Sequence, residues 1–156
     1  MRSATTTDEK TVRDVKLPYR ILLAEDGPDN QRLISYVLQR AGAEIVVADN
    51  GWIALNVARE AMQRGEPFDC VLMDVQMPVM DGFQATQELR RERYRGPILA
   101  LTANAMSNDR KLCLDAGCDD YATKPIERRK LLEMIERHVV AARAASKHRE
   151  LSESYG

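Results

Sequence analysis

Four five-residue runs, RILLA (20–24), EIVVA (44–48), CVLMD (70–74) and PILAL (97–101), recur along the chain, and a shorter one, YAT (121–123), follows them. The four are near-continuously apolar and do not alternate with polar residues, which predicts parallel strands covered on both faces. Between them the apolar residues take helical spacing: Leu33, Ile34, Val37 and Leu38, then Ala54, Leu55, Ala58 and Met62. Gly42, Gly65 and Gly117 stand where three helices should end, the position that glycine favours. Pro28 suits a first helical turn, where its missing N–H costs nothing. Shorter helices are predicted over 83–92 and 107–116, and Ile126, Leu131, Leu132, Met134, Ile135 and Val139 mark a long last one. The pattern is five βα units. Right-handed crossovers turn these into an α/β three-layer sandwich, an open parallel sheet with helices on both faces.

The chain's 156 residues suit one domain with tails: residues 1–17 are a polar arm or linker, 18–140 the domain, and 141–156 a helix extension and polar tail. Lys and Arg number 23 against 24 Asp and Glu, a balance that gives no support to nucleic-acid binding through bulk charge. No apolar run approaches the roughly 18 residues that cross a bilayer, so no membrane contact is expected. The N-terminus has no apolar stretch of a secretion signal. Cys70, Cys113 and Cys118 are odd in number and lack metal spacing, which predicts reduced thiols and a cytoplasmic protein.

In an open parallel sheet, function gathers at the carboxyl edge of the strands. Strand one ends in Glu25 and Asp26, strand three in Asp74, strand four in Thr102 and strand five in Lys124. Three carboxylates, a hydroxyl and an ammonium thus share one rim. Crowded carboxylates repel, and a hard divalent cation with oxygen ligands is the natural remedy; magnesium accepts one or two carboxylates while keeping waters. A carboxylate is also a feasible nucleophile towards phosphorus. Lys124 offers a compact cation to a phosphoryl oxygen, Thr102 one hydrogen bond to another, and Ala103 leaves the approach open.

ILLAEDGPDN, VLMDVQMPVMDG, LTANA and YATKPI resemble the sequence blocks of the two-component response-regulator receiver domain, over about residues 19–140. The resemblance implies a flavodoxin-like sheet of order 2-1-3-4-5, with Asp74 as phosphoacceptor. It implies Mg2+, with Mn2+ as a substitute, on Asp26, Asp74 and the backbone carbonyl of Gln76, with Glu25 acting through water. Thr102 and Lys124 would contact the phosphoryl group, Thr102 and Tyr121 would form the switch, and the Lys124–Pro125 peptide would be cis. Pro78 and Gly82 would shape the turn beyond Asp74, and Asp81 belongs to that turn more than to the metal. Gly27 departs from the polar residue that relatives often carry there.

The wording AEDGPDNQ, MPVMDGFQAT and LTANAMSNDRKLCLDAGCDDYATKPI resembles receivers fused to histidine kinases more than those fused to transcription factors. That implies a phosphoryl donor in a histidine kinase domain, in cis or trans, and a histidine phosphotransfer protein as recipient; the parent protein would be the enzyme. A stand-alone response regulator and a phosphorylation-independent docking module are the alternatives. An aspartate-nucleophile phosphatase would want an acid two residues beyond Asp74, where Gln76 stands. A nucleotide-binding module would want a glycine-rich loop, and AEDGPDN has one glycine beside two acids.

Overall fold

Strand and helix alternate without interruption in the computed structural model, which describes residues 16–103 and 107–155. The elements are β1 (Arg20–Ala24), α1 (Pro28–Arg40), β2 (Glu44–Ala48), α2 (Gly51–Gln63), β3 (Cys70–Asp74), α3 (Gly82–Arg91), β4 (Ile98–Thr102), α4 (Ser107–Ala116), β5 (Asp120–Thr123) and α5 (Arg128–Tyr155). All neighbouring strands pair in parallel, in the order β2-β1-β3-β4-β5. The switch point of this order lies between β1 and β3, where connections leave towards opposite faces and open a crevice at the carboxyl ends.

The pleat sorts the core into two layers. Ile21, Leu23, Cys70, Leu72, Leu99 and Leu101 pack with α1 and α5. Their strand neighbours Leu22, Ala24, Val71, Met73, Ile98 and Ala100 pack with α2, α3 and Cys113 of α4. Successive side chains point to opposite faces, so both sets must be apolar. β3 and β4 are buried along their whole length, whereas β2, an edge strand, is half-exposed.

Gly42, Gly65 and Gly117 adopt the left-handed backbone after α1, α2 and α4, with φ of 101, 75 and 112°. The fourth strand sits one residue later than the sequence predicts. Pro97 has no N–H to donate, although its carbonyl accepts from Val71 N at 2.9 Å, and the strand closes on Thr102. α3 likewise begins one residue early, at Gly82, because Asp81 caps it reciprocally with Gln84.

Two boundaries also differ. Leu17, placed in the arm by the sequence, is fully buried, and its N–H donates to Ala41 O at 2.8 Å; arm residues 1–15 lie outside the described part. Residues 147–155, expected as a polar tail, continue α5 to Tyr155. Nothing between Arg128 and Tyr155 breaks a helix, and Ala141, Ala142, Ala144 and Ala145 favour one. At 28 residues, this helix is about 42 Å long. No helix among the described residues is long and apolar enough to cross a membrane.

The three cysteines are free and buried. Burial pushes the Cys70 thiol far above its ordinary range and the Cys118 thiol up to about 12. The native protein at pH 8 is therefore expected to resist a thiol-labelling reagent, with all three sites reacting in denaturant; rapid native labelling counted by mass would contradict that burial.

Candidate functional site

The end of β1 delivers two acids to the crevice. Glu25 N donates to Ala48 O at 3.0 Å, which extends the ladder by one residue, and the Glu25 side chain folds back to accept from Gly27 N at 2.9 Å. Gln31, one turn into α1, donates from its side chain to the Glu25 carbonyl and to Asp49. This bracing was not recognised in the sequence, where Gln31 is only a polar residue early in a helix.

Asp74 ends β3. It is 4% exposed, and its carboxylate is held from two sides: Oδ1 accepts from Gln76 N at 3.1 Å and Oδ2 from Lys124 Nζ at 3.0 Å. Lys124 Nζ also lies 2.9 Å from Glu25 Oε1, an ion pair without the alignment of a hydrogen bond. Glu25, Asp26 and Asp74 each bring a carboxylate oxygen within 4.8 Å of the others; Glu25 and Asp74 are buried and Asp26 faces solvent. Residues 25, 26, 74 and 124 thus meet in one pocket, although they lie far apart along the chain.

The charges are unevenly matched. Burial works against the Lys124 ammonium, but its pairing with Glu25 and Asp74 outweighs that and lifts its pKa above the ordinary lysine value. One ammonium stands against three carboxylates. Glu25 Oε1 is buried and accepts no hydrogen bond. Three carboxylates clustered against a single ammonium are the oxygen donor set that suits a hard divalent cation, so the residues fit magnesium.

The loop beyond Asp74 seats α3 close against the end of β3. Gly82 N donates to Val75 O at 3.2 Å, and a Cβ on Gly82 would fall 2.2 Å from the Asp74 carbonyl oxygen. Only glycine permits α3 to start so close to the end of β3. Asp81 accepts from Gln84 N at 2.9 Å as the cap of α3, so its side chain belongs to the turn. Val79, at the loop's tip, is 81% exposed with φ of 70°, a strained conformation for a β-branched residue.

Thr102 is buried at the end of β4, one residue past Leu101, the register partner of Asp74. Its carbonyl accepts from Lys124 N at 2.7 Å, which ties the lysine's backbone to this strand, and the Lys124–Pro125 peptide is cis. Tyr121 lies in register with Ala100, half-buried against the cluster beneath α2 and α3. Ala103, directly after Thr102, is exposed, and residues 104–106 lie outside the described part.

The family model for the response regulator receiver domain matches residues 21–136. The chain belongs to this family. Among relatives of this receiver, the sensor histidine kinase GacS of Pseudomonas protegens is 46% identical over 121 residues, covering 74% of the chain and 13% of the relative. Hybrid signal transduction histidine kinase I of Dictyostelium discoideum is 40% identical over 127 residues, 79% of the chain and 7% of the relative. The receiver therefore spans a small part of these kinases. The crystal structure of the receiver domain of sensor histidine kinase PA1611 from Pseudomonas aeruginosa, with a magnesium ion coordinated in its active site cleft, superposes with a TM-score of 0.71 at 39% identity. That match covers 78% of this chain and 97% of the other. The protein is thus a receiver domain of two-component signalling, homologous to those of hybrid sensor histidine kinases, with an acidic pocket suited to a divalent cation and phosphoryl acceptance.

Proposed function

We propose that Asp74 takes a phosphoryl group from a phosphohistidine of a histidine kinase domain, in cis or trans, and passes it to a histidine phosphotransfer protein. The observation that carries this reading is the meeting of Asp74 with Glu25, Asp26 and Lys124. The Gln76 N–H and the Lys124 ammonium fix the carboxylate plane, and an oxygen of Asp74 attacks phosphorus. The phosphorus–nitrogen bond breaks, and its electron pair returns to the donor's ring nitrogen, which takes up a proton. Lys124 and the Thr102 hydroxyl hold oxygens of the transferred group, and burial of Asp74 keeps water from the acyl phosphate.

Asp26, Asp74 and the Gln76 carbonyl would hold Mg2+, or Mn2+ as a substitute, with Glu25 assisting through water. When bound, the cation offsets charge on the acids and on the incoming phosphoryl oxygens. Thr102 and half-buried Tyr121 form the switch: drawing the hydroxyl towards the phosphoryl group opens room beside Tyr121, which changes the face made by α4, β5 and α5. The receiver unit is residues 18–140, extended to include Leu17 by its burial, and it works on the cytoplasmic side as the receiver module of a hybrid kinase.

The test is intact mass after incubation with acetyl phosphate. One phosphoryl group should be added in magnesium and none in EDTA. An unmodified protein in saturating magnesium would leave a docking module as the reading.

A further inference from the structure

We propose a second site, at the pole opposite Asp74: a cavity that binds an organic diphosphate of nucleotide size between the body of the domain and the last helix. The cavity measures about 460 Å³ and lies before the first residues of β3 and β4, whereas the acids follow the last residues of β1 and β3. Its volume falls within the range of small-molecule sites. Arg93 and Arg95 line it from the connection between α3 and β4, and Arg143 and Arg149 from α5. Asp69 is the one carboxylate in the lining, and Arg143 already meets it at 3.3 Å. Arg93, Arg95 and Arg149 make no ion pair among the described residues.

Arg93 supplies an independent observation. It follows α3 as Gly42, Gly65 and Gly117 follow three other helices, and its φ is 68°. That backbone favours glycine, so an arginine is strained there, and it stands at a position that lines the cavity. The ligand chemistry follows from the lining. Planar guanidinium forks suit phosphate oxygens, and several unpaired forks suit more than one phosphate. Met62, Pro67 and Val139 add an apolar wall that inorganic phosphate would leave bare, which calls for an organic body on the same molecule. Because the arginines come from two elements, the ligand would bridge them and hold the far half of α5 against the body.

Calorimetry with the full chain tests this, in low salt and in EDTA so that the acidic pole holds no cation. The probes are ADP, AMP and inorganic pyrophosphate. ADP should saturate, with AMP and pyrophosphate each about tenfold weaker or worse, since each lacks one half of the recognised chemistry. R95Q/R149Q should weaken ADP by about tenfold or more without lowering the melting temperature, because neither residue makes an ion pair among the described residues. R93G separates function from fold: relief of the backbone should raise the melting temperature by roughly 2–4 °C while ADP binding weakens. Failure of ADP to saturate at millimolar concentration overturns the proposal. So does unchanged ADP affinity in R93G and R95Q/R149Q, or pyrophosphate binding as tightly as ADP.

Discussion

Asp74→Asn is expected to take up no phosphoryl group from acetyl phosphate in magnesium, and the wild-type protein to take up one. The substitution keeps the shape of the side chain and removes its charge and its nucleophilicity together. An amide offers one acceptor where the carboxylate offers two, and the two donors facing it, Gln76 N and Lys124 Nζ, cannot both be satisfied. Lys124 keeps Glu25 as a partner at 2.9 Å, so the pocket should remain assembled and the melting temperature should move little. Magnesium affinity should fall as well, because one of three clustered carboxylates is gone. Mass spectrometry and a melt of the same sample separate loss of chemistry from loss of fold. Full uptake by Asp74→Asn would place the acceptor elsewhere.

Gly82→Ala should be the most destabilising small substitution in the loop beyond Asp74. The added methyl would lie 2.2 Å from the Asp74 carbonyl oxygen and 2.9 Å from Val75 Cα, both backbone atoms that no rotamer change can move. Either α3 slides outward, which breaks the Gly82 N–Val75 O bond and disturbs the Asp81 cap, or the end of β3 shifts and takes Asp74 with it. Overpacking against backbone costs about 3 kcal/mol here, a fall in melting temperature of roughly 6–12 °C for a domain of this size. Uptake of phosphate should slow too, since the acid's own carbonyl is what the methyl meets. Gly27→Ala is the control: its Cβ would stand 3.3 Å from a Glu25 side-chain oxygen, a contact that a shift of a few tenths of an ångström relieves, so its melting temperature should stay within a few degrees of wild type. Equal melting temperatures for Gly82→Ala and wild type would show that the helix start is not so closely seated.

The carboxyl rim was legible because strands register in apolar runs, and the residue after each run is then placed by the sheet alone. Glu25, Asp26 and Asp74 needed nothing more than the order of β1 and β3 to meet. Lys124 was legible as a rim residue, but its double contact depends on the Lys124 N–Thr102 O bond that seats the end of β5 beside β4, which no local pattern encodes. The one-residue shift of β4 comes from Pro97, whose missing N–H competes with an otherwise good strand pattern. Leu17 reads as arm because a lone leucine in a polar stretch has no period; only the closing of β1 against the end of α1 buries it. The arginine cavity was not legible at all. Its walls come from the connection after α3 and from a helix extension that looked like tail, and the left-handed backbone at Arg93 breaks the expectation that glycine stands there.

Among three crowded acids, Asp74 is the one proposed to carry the phosphoryl group. Borohydride reduction of the phosphorylated protein, followed by peptide mass mapping, tests it directly, because an acyl phosphate is reduced to an alcohol that marks its own position. Homoserine is expected at residue 74 with Glu25 and Asp26 unchanged; reduction at residue 25 or 26, with Asp74 intact, would contradict the assignment of Asp74.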